Sequence, residues 1–411
     1  MSEERTRRRE RASSNASEDS SQDDRRKQRR LERERQRQKR NRLIKIVLIA
    51  VVAIVVIAVA LKFILDKKDS SKADAPSTGG EQSEAVITPD EGSTPEATDE
   101  TTPIDFTITF DLSEFEGATI EPASIGVPKD SEIPMLPYPK KDGLRFTGWS
   151  YTSPAGETLT IDNSNRELLQ NGEDVTLYPK FEVKPTQVDE QTRGLPVLMY
   201  HYFYDSNVDA APSDNNFFDI HDFEEEMKYL NENDYYYPNW DEVIEFINGN
   251  ILLPEKSVVI TTDDGHESVF RLMVPILEKY QVQATSFIVG IDFTPEFLVE
   301  NHSEYLTFES HTYDMHRPSD IANGGRILGA TSEEIAADVA SSTELIGSHR
   351  VYCYPFGHIN ESAKAALREN GVQLGFTVVF GRDYPLMDPL ELPRQRMSQG
   401  EPLSYFIARV E

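Results

Sequence analysis

The feature that most constrains the fold is an alternation of short apolar strands and periodic helices over residues 195–411. The predicted strands are LPVLMYH (195–201), SVVITTDDG (257–265), ATSFIVG (284–290), YLTFESH (305–311), RVYCYPFG (350–357) and LGFTVV (374–379). The predicted helices that intervene cover 222–233, 267–280, 332–346 and 361–370. This pattern predicts a parallel sheet or barrel with its site at the carboxyl ends of the strands. Because the chain stops soon after the last of these strands, we expect no further domain there.

Polar side chains gather at the predicted strand ends, at His201, Asp263, Asp264, His311, His316 and Tyr354-Pro355. Two adjacent carboxylates at the end of an apolar strand are costly unless they are paired or bind a metal, and Gly265 permits a tight turn after them. One carboxylate and two imidazoles with open positions are typical of a hydrolytic zinc site. Each residue alone is compatible with a solvated turn or a packed histidine, but the combination favours a site.

Three segments in order, TTDDG (261–265), SHTYDMH (310–316) and YPFGH (354–358), resemble the motifs of the polysaccharide deacetylase (NodB-homology) family. The resemblance extends over essentially all of 195–411. It implies a distorted (β/α) barrel that hydrolyses acetamido or acetyl groups on glycans with a divalent cation, usually zinc.

The resemblance also implies a role for each motif residue. The metal ligands would be Asp264, His311 and His316. Asp263 would be the general base. The substrate-binding groove wall would consist of Tyr354, Pro355, Phe356 and Gly357. The backbone N–H of Phe356 would help to hold the oxyanion.

Three departures from the family pattern affect this interpretation. The two metal histidines stand five residues apart rather than four, as in the exported poly-N-acetylglucosamine deacetylase branch. Cys353 occupies the place where many members have an arginine that orients the base, so we expect Arg394 or Arg350 to substitute. No histidine follows His358, so the usual C-terminal acid is absent. We expect His201, at the end of the first strand, to protonate the leaving amine. A packing role is the alternative for His201, and His358 is the second candidate for the acid.

A small β-rich module is predicted over residues 105–185. Period-two alternation in DFTITFD (105–111), LRFTGWSY (144–151) and VTLYPKFEV (175–183) indicates strands. GLRFTGWSY with the closing TLYPKF resembles the Listeria–Bacteroides repeat, a β-grasp-like module of bacterial surface proteins. That resemblance implies a spacer or a domain that contacts wall or glycan. We expect Trp149 to be a core aromatic rather than a sugar platform.

The segment before this module predicts a single membrane anchor. Residues 44–65 carry only Lys45 and Lys62 as charges, enough apolar length to cross a bilayer of ~30 Å. The flank 25–42 holds 11 basic and 2 acidic residues, which places the tail 1–43 in the cytosol. Residues 66–104 read as a disordered acidic linker. The alternative is a cleaved signal peptide, since Ala-Val-Ala at 58–60 mimics a cleavage box.

Charge and cysteine content limit the function classes further. The chain has 411 residues and a formal charge of −29, divided into +7 over residues 1–43 and −38 after residue 65. An acidic body argues against a nucleic-acid partner. The single cysteine excludes an intramolecular disulfide. Length, charge and composition together exclude a small soluble cytosolic enzyme.

Together these features predict a membrane-anchored enzyme whose catalytic domain lies on the outer surface of a Gram-positive bacterial cell. Its substrate would be an N-acetylated glycan, either peptidoglycan or poly-N-acetylglucosamine, from which it would release acetate. An O-acetyl polysaccharide esterase and a catalytically degenerate glycan-binding protein are the alternatives.

Overall fold

The computed structural model describes residues 103–319 and 324–411, all within one compact unit. The predicted tail 1–43, the predicted transmembrane helix 44–65 and residues 66–102 of the predicted linker lie outside the described residues. Within the part that is described, no helix has both the length and the apolar character needed to span a bilayer.

The first part of this unit is a five-stranded mixed sheet. Its strands are β1 (Ile104–Phe110), β2 (Ser124–Pro128), β3 (Leu144–Thr152), β4 (Thr158–Ile161) and β5 (Val175–Val183), in the order β2-β1-β5-β3-β4. β1 and β5 pair in parallel at the centre, and the other neighbours are antiparallel. The three predicted strands are thus confirmed as β1, β3 and β5. β2 and β4 escaped prediction because they are short and mostly exposed, so they carry little apolar alternation.

Trp149 lies in the core of this sheet, as predicted. Its side chain is 1 % exposed, and its ring centroid lies 4.8 Å from that of Phe110 and 5.1 Å from that of Phe146. A buried ring cannot serve as a sugar platform. The resemblance of the module to a known repeat, and the boundaries of the 105–185 module and the 195–411 domain, stay predictions.

The second part is a closed barrel of seven parallel strands. They are β6 (Val197–Tyr200), β9 (Val259–Asp264), β10 (Ala284–Ile288), β11 (Leu306–Ser310), β12 (Val351–Cys353), β13 (Leu374–Phe380) and β14 (Leu392–Arg396). Each strand pairs in parallel with the next, and β14 closes the barrel against β6. Every residue of β6, β10 and β12 is buried, which explains why these strands are continuous apolar runs. The predicted parallel architecture is confirmed.

Seven helices among the described residues accompany the barrel, with a short parallel pair, β7 (Tyr202–Tyr204) and β8 (Phe217–Asp219). The helices are α1 (Ile220–Glu232), α2 (Trp240–Ile247), α3 (Val274–Tyr280), α4 (Pro295–Glu300), α5 (Ser332–Ile346), α6 (Glu361–Glu369) and α7 (Leu403–Val410). The predicted helix 267–280 is interrupted by a π-helical turn over Val269–Met273. The regular helix α3 begins at Val274 after that turn, and Pro275 in its first turn has no N–H to continue the preceding hydrogen-bond pattern.

Six elements of the barrel part were missing from the prediction: β7, β8, α2, α4, β14 and α7. α2 carries a signal that could have been found, a capping box between Asn239 and Glu242. β14 has none, because its central residues Arg394 and Gln395 are polar yet buried.

The mixed sheet packs on the amino-terminal end of the barrel. Phe146 of β3 accepts a backbone hydrogen bond from Leu252 and donates one to Asn250, both at 2.8 Å. One hydrophobic cluster joins the core of the sheet, the apolar face of α2 and the first residues of five barrel strands. Those residues are Val197, Val259, Val351, Leu374 and Leu392. The opposite, carboxyl end of the barrel is left for the polar side chains.

Candidate active site

Three barrel strands deliver polar side chains at their carboxyl ends. His201 follows β6, Asp263 and Asp264 end β9, and His311 follows β11. Parallel strands place these ends on one edge. The Oδ1 atom of Asp264 lies 3.4 Å from Nε2 of His311 and 3.3 Å from Nε2 of His316. The structure therefore brings together the three predicted metal-ligating residues.

We call Asp264, His311 and His316 the Asp–His–His cluster, and its donor atoms all lie within 4.8 Å of one another. The Tyr202 hydroxyl donates to Oδ2 of Asp264, whereas the buried Oδ1 has no hydrogen-bond partner among residues 103–319 and 324–411. Nδ1 of His311 donates to the carbonyl oxygen of Cys353 at 2.9 Å, which directs its Nε2 atom towards Asp264. An unpartnered carboxylate oxygen facing two imidazole nitrogens fits a divalent cation, with zinc the typical occupant.

The turn after β9 sets the directions of the two carboxylates. Asp264 has φ +70° and Gly265 has φ +71°. This consecutive left-handed pair ends the strand abruptly, so Asp264 points towards the histidines while Asp263 stays in the barrel interior. A Cβ atom on Gly265 would lie 2.6 Å from the ring of Phe293. The predicted tight turn thus needs glycine for space as well as for conformation.

Asp263 is held by a buried arginine from β14. Arg394 Nη1 donates to Oδ1 of Asp263 at 2.8 Å and Nη2 donates to Oδ2 at 2.7 Å, in a two-pronged pair. Nη2 also lies 3.0 Å from the sulfur of Cys353. The guanidinium therefore reaches the acid from β14 and packs beside the cysteine that stands where an arginine was expected.

The other candidate, Arg350, does not reach the site. It precedes β12 and therefore lies at the amino-terminal end of the barrel, where its guanidinium pairs with Asp241. Of the two arginines, only Arg394 contacts Asp263.

The two aspartates are ionised for different reasons. Burial opposes the charge of Asp263, but the charge and hydrogen bonds of Arg394 outweigh it and hold the pKa of that carboxyl well below its usual range. Burial also opposes the charge of Asp264, and interaction with His311 lowers the pKa of its carboxyl to about 2. Burial lowers the pKa of His316, and the neighbouring His311 adds to the effect.

His201 interacts electrostatically with the carboxylates of Asp263 and Asp264. Burial lowers the pKa of its imidazole, while Asp263 and Asp264 act in the opposite direction. Its ring contacts Tyr202 edge-on at 5.9 Å and has no hydrogen bond to the residues that the structure describes. A partly buried imidazole with unengaged nitrogens could transfer a proton to a bound molecule.

The structure turns the Tyr354 side chain away from the predicted groove wall. Its ring is 0 % exposed, and its hydroxyl donates to the carbonyl oxygen of Leu390 at 2.9 Å. Pro355 is also buried. Tyr354 belongs to the hydrophobic cluster formed with residues of α5 and α6.

Phe356 and Gly357 do form a wall beside the cluster. Phe356 has φ +58°, is 43 % exposed, and its ring centroid lies 4.4 Å from that of His316. A Cβ atom on Gly357 would lie 2.4 Å from Val378, so the turn fits tightly against β13. Val378, Val379 and Phe380 extend this wall as an exposed apolar strip. His358 packs on Phe356 at 5.7 Å, with its Nδ1 accepting from the backbone N–H of Gly325.

Tyr202 is the residue of this site that sequence reasoning missed. It directly follows His201, and its hydroxyl orients Asp264, 62 positions further along the chain. A tyrosine after a buried strand carries no sign of such a partner, because the contact depends on which strands are neighbours in the barrel.

Residues 252–375 match the family model of polysaccharide deacetylases. The matched segment contains the Asp–His–His cluster, Asp263 and the Phe356 turn, whereas His201 and Arg394 lie outside it. A parallel barrel with an acid pair and two histidines at its carboxyl edge is the arrangement that the sequence motifs implied. The segment 252–375 therefore matches a polysaccharide deacetylase domain of the NodB type.

Similar proteins carry related names. A Bacillus subtilis protein, YxkH, is named as a polysaccharide deacetylase. It is 29 % identical over 269 residues, which cover 63 % of this chain and 88 % of that protein. A poly-β-1,6-N-acetyl-D-glucosamine N-deacetylase of Staphylococcus epidermidis is 26 % identical over 190 residues, 42 % of this chain and 65 % of that enzyme. The solved structure of the Streptococcus pyogenes deacetylase PplD with acetate is 20 % identical, with a TM-score of 0.47, and covers 54 % of this chain and 99 % of that one.

Proposed function

We propose that this protein is a metal-dependent N-deacetylase that hydrolyses the acetamide of N-acetylhexosamine residues in a cell-wall or extracellular glycan. The observation that carries the proposal is the convergence of the free Asp264 Oδ1 with two imidazole Nε2 atoms, next to the ionised Asp263. Hydrolysis of an amide needs an activated water, a stabilised oxyanion and a proton for the leaving amine. The site has a candidate group for each.

Asp264, His311 and His316 would hold the cation, with zinc as the favoured metal. When bound, such an ion polarises a carbonyl and lowers the pKa of a coordinated water from 15.7 towards ~7. Asp263 accepts a proton from the attacking water as the water oxygen adds to the acetyl carbonyl carbon. Arg394 keeps Asp263 ionised and fixes both of its oxygens. The backbone N–H of Phe356, in the wall beside the cluster, would receive the oxyanion.

His201 then protonates the nitrogen as the carbon–nitrogen bond breaks, and acetate and the free amine leave. Burial lowers the pKa of His201, so the ring gives up its proton readily once it is charged. Asp263 and Asp264 support the charged form while it lasts. In this scheme His201 is the acid and Asp263 is the base, at the ends of the adjacent strands β6 and β9.

Two features support a glycan as the substrate. The staphylococcal relatives are named as deacetylases of poly-N-acetylglucosamine. The apolar strip of Val378, Val379 and Phe380, with Phe356, borders the cluster with the kind of surface on which the carbon–hydrogen faces of sugars pack. Peptidoglycan and poly-N-acetylglucosamine are the two polymers that we propose.

We also propose that residues 44–65 anchor the protein in the membrane with the catalytic part outside the cell. The support is the apolar run and its basic flank. An enzyme tethered in this way would act on polymers within reach of the acidic linker 66–104.

The decisive experiment measures acetate released by a fragment of residues 98–411 supplied with zinc or cobalt. The substrates, tested in parallel, are N-acetylglucosamine oligomers, peptidoglycan fragments and an O-acetylated xylan. We expect release from an N-acetyl glycan. Asp264→Asn should abolish both zinc binding and release. Asp263→Asn should keep the metal and lose about 10²–10⁴-fold in turnover, the usual contribution of a general base.

Other outcomes would change the assignment. Release from the xylan alone would make the protein an O-acetyl esterase. A folded, zinc-loaded protein that releases acetate from none of the three would favour a glycan-binding protein without turnover. Near wild-type turnover in Asp263→Asn would remove Asp263 from the role of base.

A further inference from the structure

The backbone between the two histidines of the cluster is held by hydrogen bonds to one buried carboxylate. Asp338, on α5, is 8 % exposed and points at this segment. Its Oδ1 accepts from the Thr312 hydroxyl at 2.6 Å and from the backbone N–H of Tyr313 at 2.8 Å. Its Oδ2 accepts from the backbone N–H of Asp314 at 2.8 Å. One carboxylate therefore binds three consecutive residues between His311 and His316.

These hydrogen bonds stabilise a backbone conformation that is sterically unfavourable by itself. Thr312 has φ +77°, and a β-branched residue in the left-handed region is a steric outlier. Its hydroxyl, besides donating to Asp338, accepts from the backbone N–H of Met315 at 2.9 Å. The segment thus folds into a tight loop around Asp338, and the loop returns His316 to the side of His311.

α5 is fixed to the same strand end by a second contact. Ser342 lies four residues after Asp338, so both side chains share one face of the helix. The hydroxyl of Ser342 donates to that of Ser310, the last residue of β11, at 2.9 Å. Asp338 therefore reaches the loop from a helix that is itself held against the strand before His311.

We propose that Asp338 is a positioning residue for the Asp–His–His cluster, setting the distance between its two imidazoles by fixing the loop between them. The inference rests on the proposed function in one respect, that the cluster binds a divalent cation. It explains how two histidines that stand five positions apart can face one another. The left-handed Thr312 turns the chain, and Asp338 binds the backbone N–H groups of Tyr313 and Asp314, which have no partner in strand or helix.

The test uses Asp338→Asn in the 98–411 unit, with Ser342→Ala as the matched control. Asparagine has the same shape but offers one acceptor oxygen and an NH₂ group, which would face a backbone N–H of the loop. We expect zinc affinity to fall by about 10–100-fold, the range seen when groups that orient metal ligands are removed. The d–d absorption spectrum of the cobalt form should also change. Ser342→Ala removes a buried hydrogen bond on the same face of α5, and it should lower thermal stability without changing zinc affinity or the spectrum.

The outcomes separate this inference from the proposed function. A wild-type protein that binds neither zinc nor cobalt would overturn the proposed metal centre. A wild-type protein that binds zinc, with Asp338→Asn equal to it in affinity and cobalt spectrum, would overturn only the positioning role. If Asp338→Asn does not fold, Thr312→Val removes one of the three donors with little change of shape. It should weaken zinc binding several-fold, and an unchanged affinity in that variant would also overturn the role.

Discussion

Asp263 and Asp264 show how far two neighbouring residues of the same type can differ in chemistry. Asp263 is 2 % exposed and bound on both oxygens by Arg394, whereas Asp264 presents one free oxygen to two imidazoles. The left-handed turn at Asp264 creates this difference by turning its side chain away from the barrel interior. Adjacent carboxylates can then take separate roles, one towards a proton and one towards a cation.

The proposed acid role of His201 predicts a dependence on the leaving group. His201→Gln should lower turnover of an N-acetyl glycan by about 10²–10⁴-fold, because the leaving amine needs a proton. An activated aryl acetate leaves as a stable anion, so its hydrolysis should change little. Steady-state rates on both substrates at equal zinc content test this. His358→Gln is the control and should resemble the wild type. A selective loss in that variant instead would assign the acid to His358.

Glu226 of α1 predicts a pH dependence of stability. Burial raises the pKa of this glutamate to about 8, although the hydrogen bond from Tyr200 opposes the shift. The folded protein therefore keeps a proton that the unfolded chain releases above its ordinary value of 4.5. Between pH 5 and 8 this group makes the free energy of unfolding fall as pH rises, by up to about 1.4 kcal/mol per pH unit.

Glu226→Gln should remove that contribution and keep the Tyr200 hydrogen bond. Denaturant unfolding of both proteins at several pH values measures it. The slope of stability against pH should be shallower in the variant, while all other titrating groups are shared. Parallel slopes would show that Glu226 is ionised throughout this range.

At the scale of the element, the turn that ends β9 predicts a difference between two glycines. Gly265→Ala and Gly143→Ala both place alanine in the left-handed region, at φ +71° and φ +73°. This should lower the free energy of unfolding by about 1–2 kcal/mol in each variant. A new Cβ at Gly143 meets no atom within 4 Å, whereas at Gly265 it meets Phe293 at 2.6 Å. Gly265→Ala should therefore cost about 1–3 kcal/mol more, as overpacking does.

Denaturant unfolding and zinc titration check this pair together. We expect zinc affinity to fall only in Gly265→Ala, because only that turn carries Asp264. Equal costs and equal affinities in the two variants would mean that the turn adapts without disturbing the cluster.

At the scale of the whole molecule, the mixed sheet acts as a cover for the amino-terminal end of the barrel. A fragment of residues 195–411 would lose the Phe146 backbone hydrogen bonds and expose the apolar face of α2, including Val243, Phe246 and Ile247. Burial of such side chains is worth about 1.5–3 kcal/mol each. We expect the fragment to melt at a lower temperature than residues 98–411 and to bind a hydrophobic dye. Identical melting of the two would show that the sheet is dispensable for folding of the barrel.

Prediction from the sequence was most successful for elements whose boundaries are set by local signals. The strand β5 and the helix α5 have their predicted ends at both termini, because their apolar period, turns and caps are local signals. The prediction failed at β14, whose buried Arg394 is polar, and its partner Asp263 lies 131 positions away. The sequence also carries no sign that the Tyr354 ring is buried, since motif position does not tell which way a ring turns.

The sequence by itself determined the parallel α/β class and the edge at which the site lies, because strand period and the order of strands and helices can be read from short segments. The resemblance of its motifs to a known family implied which three residues form the cluster. Only the tertiary structure decided that Arg394 rather than Arg350 pairs with Asp263, that Tyr202 orients Asp264 and that Asp338 holds the loop between the histidines. These contacts join residues far apart in sequence, and their existence depends on which strands and helices become neighbours when the barrel closes.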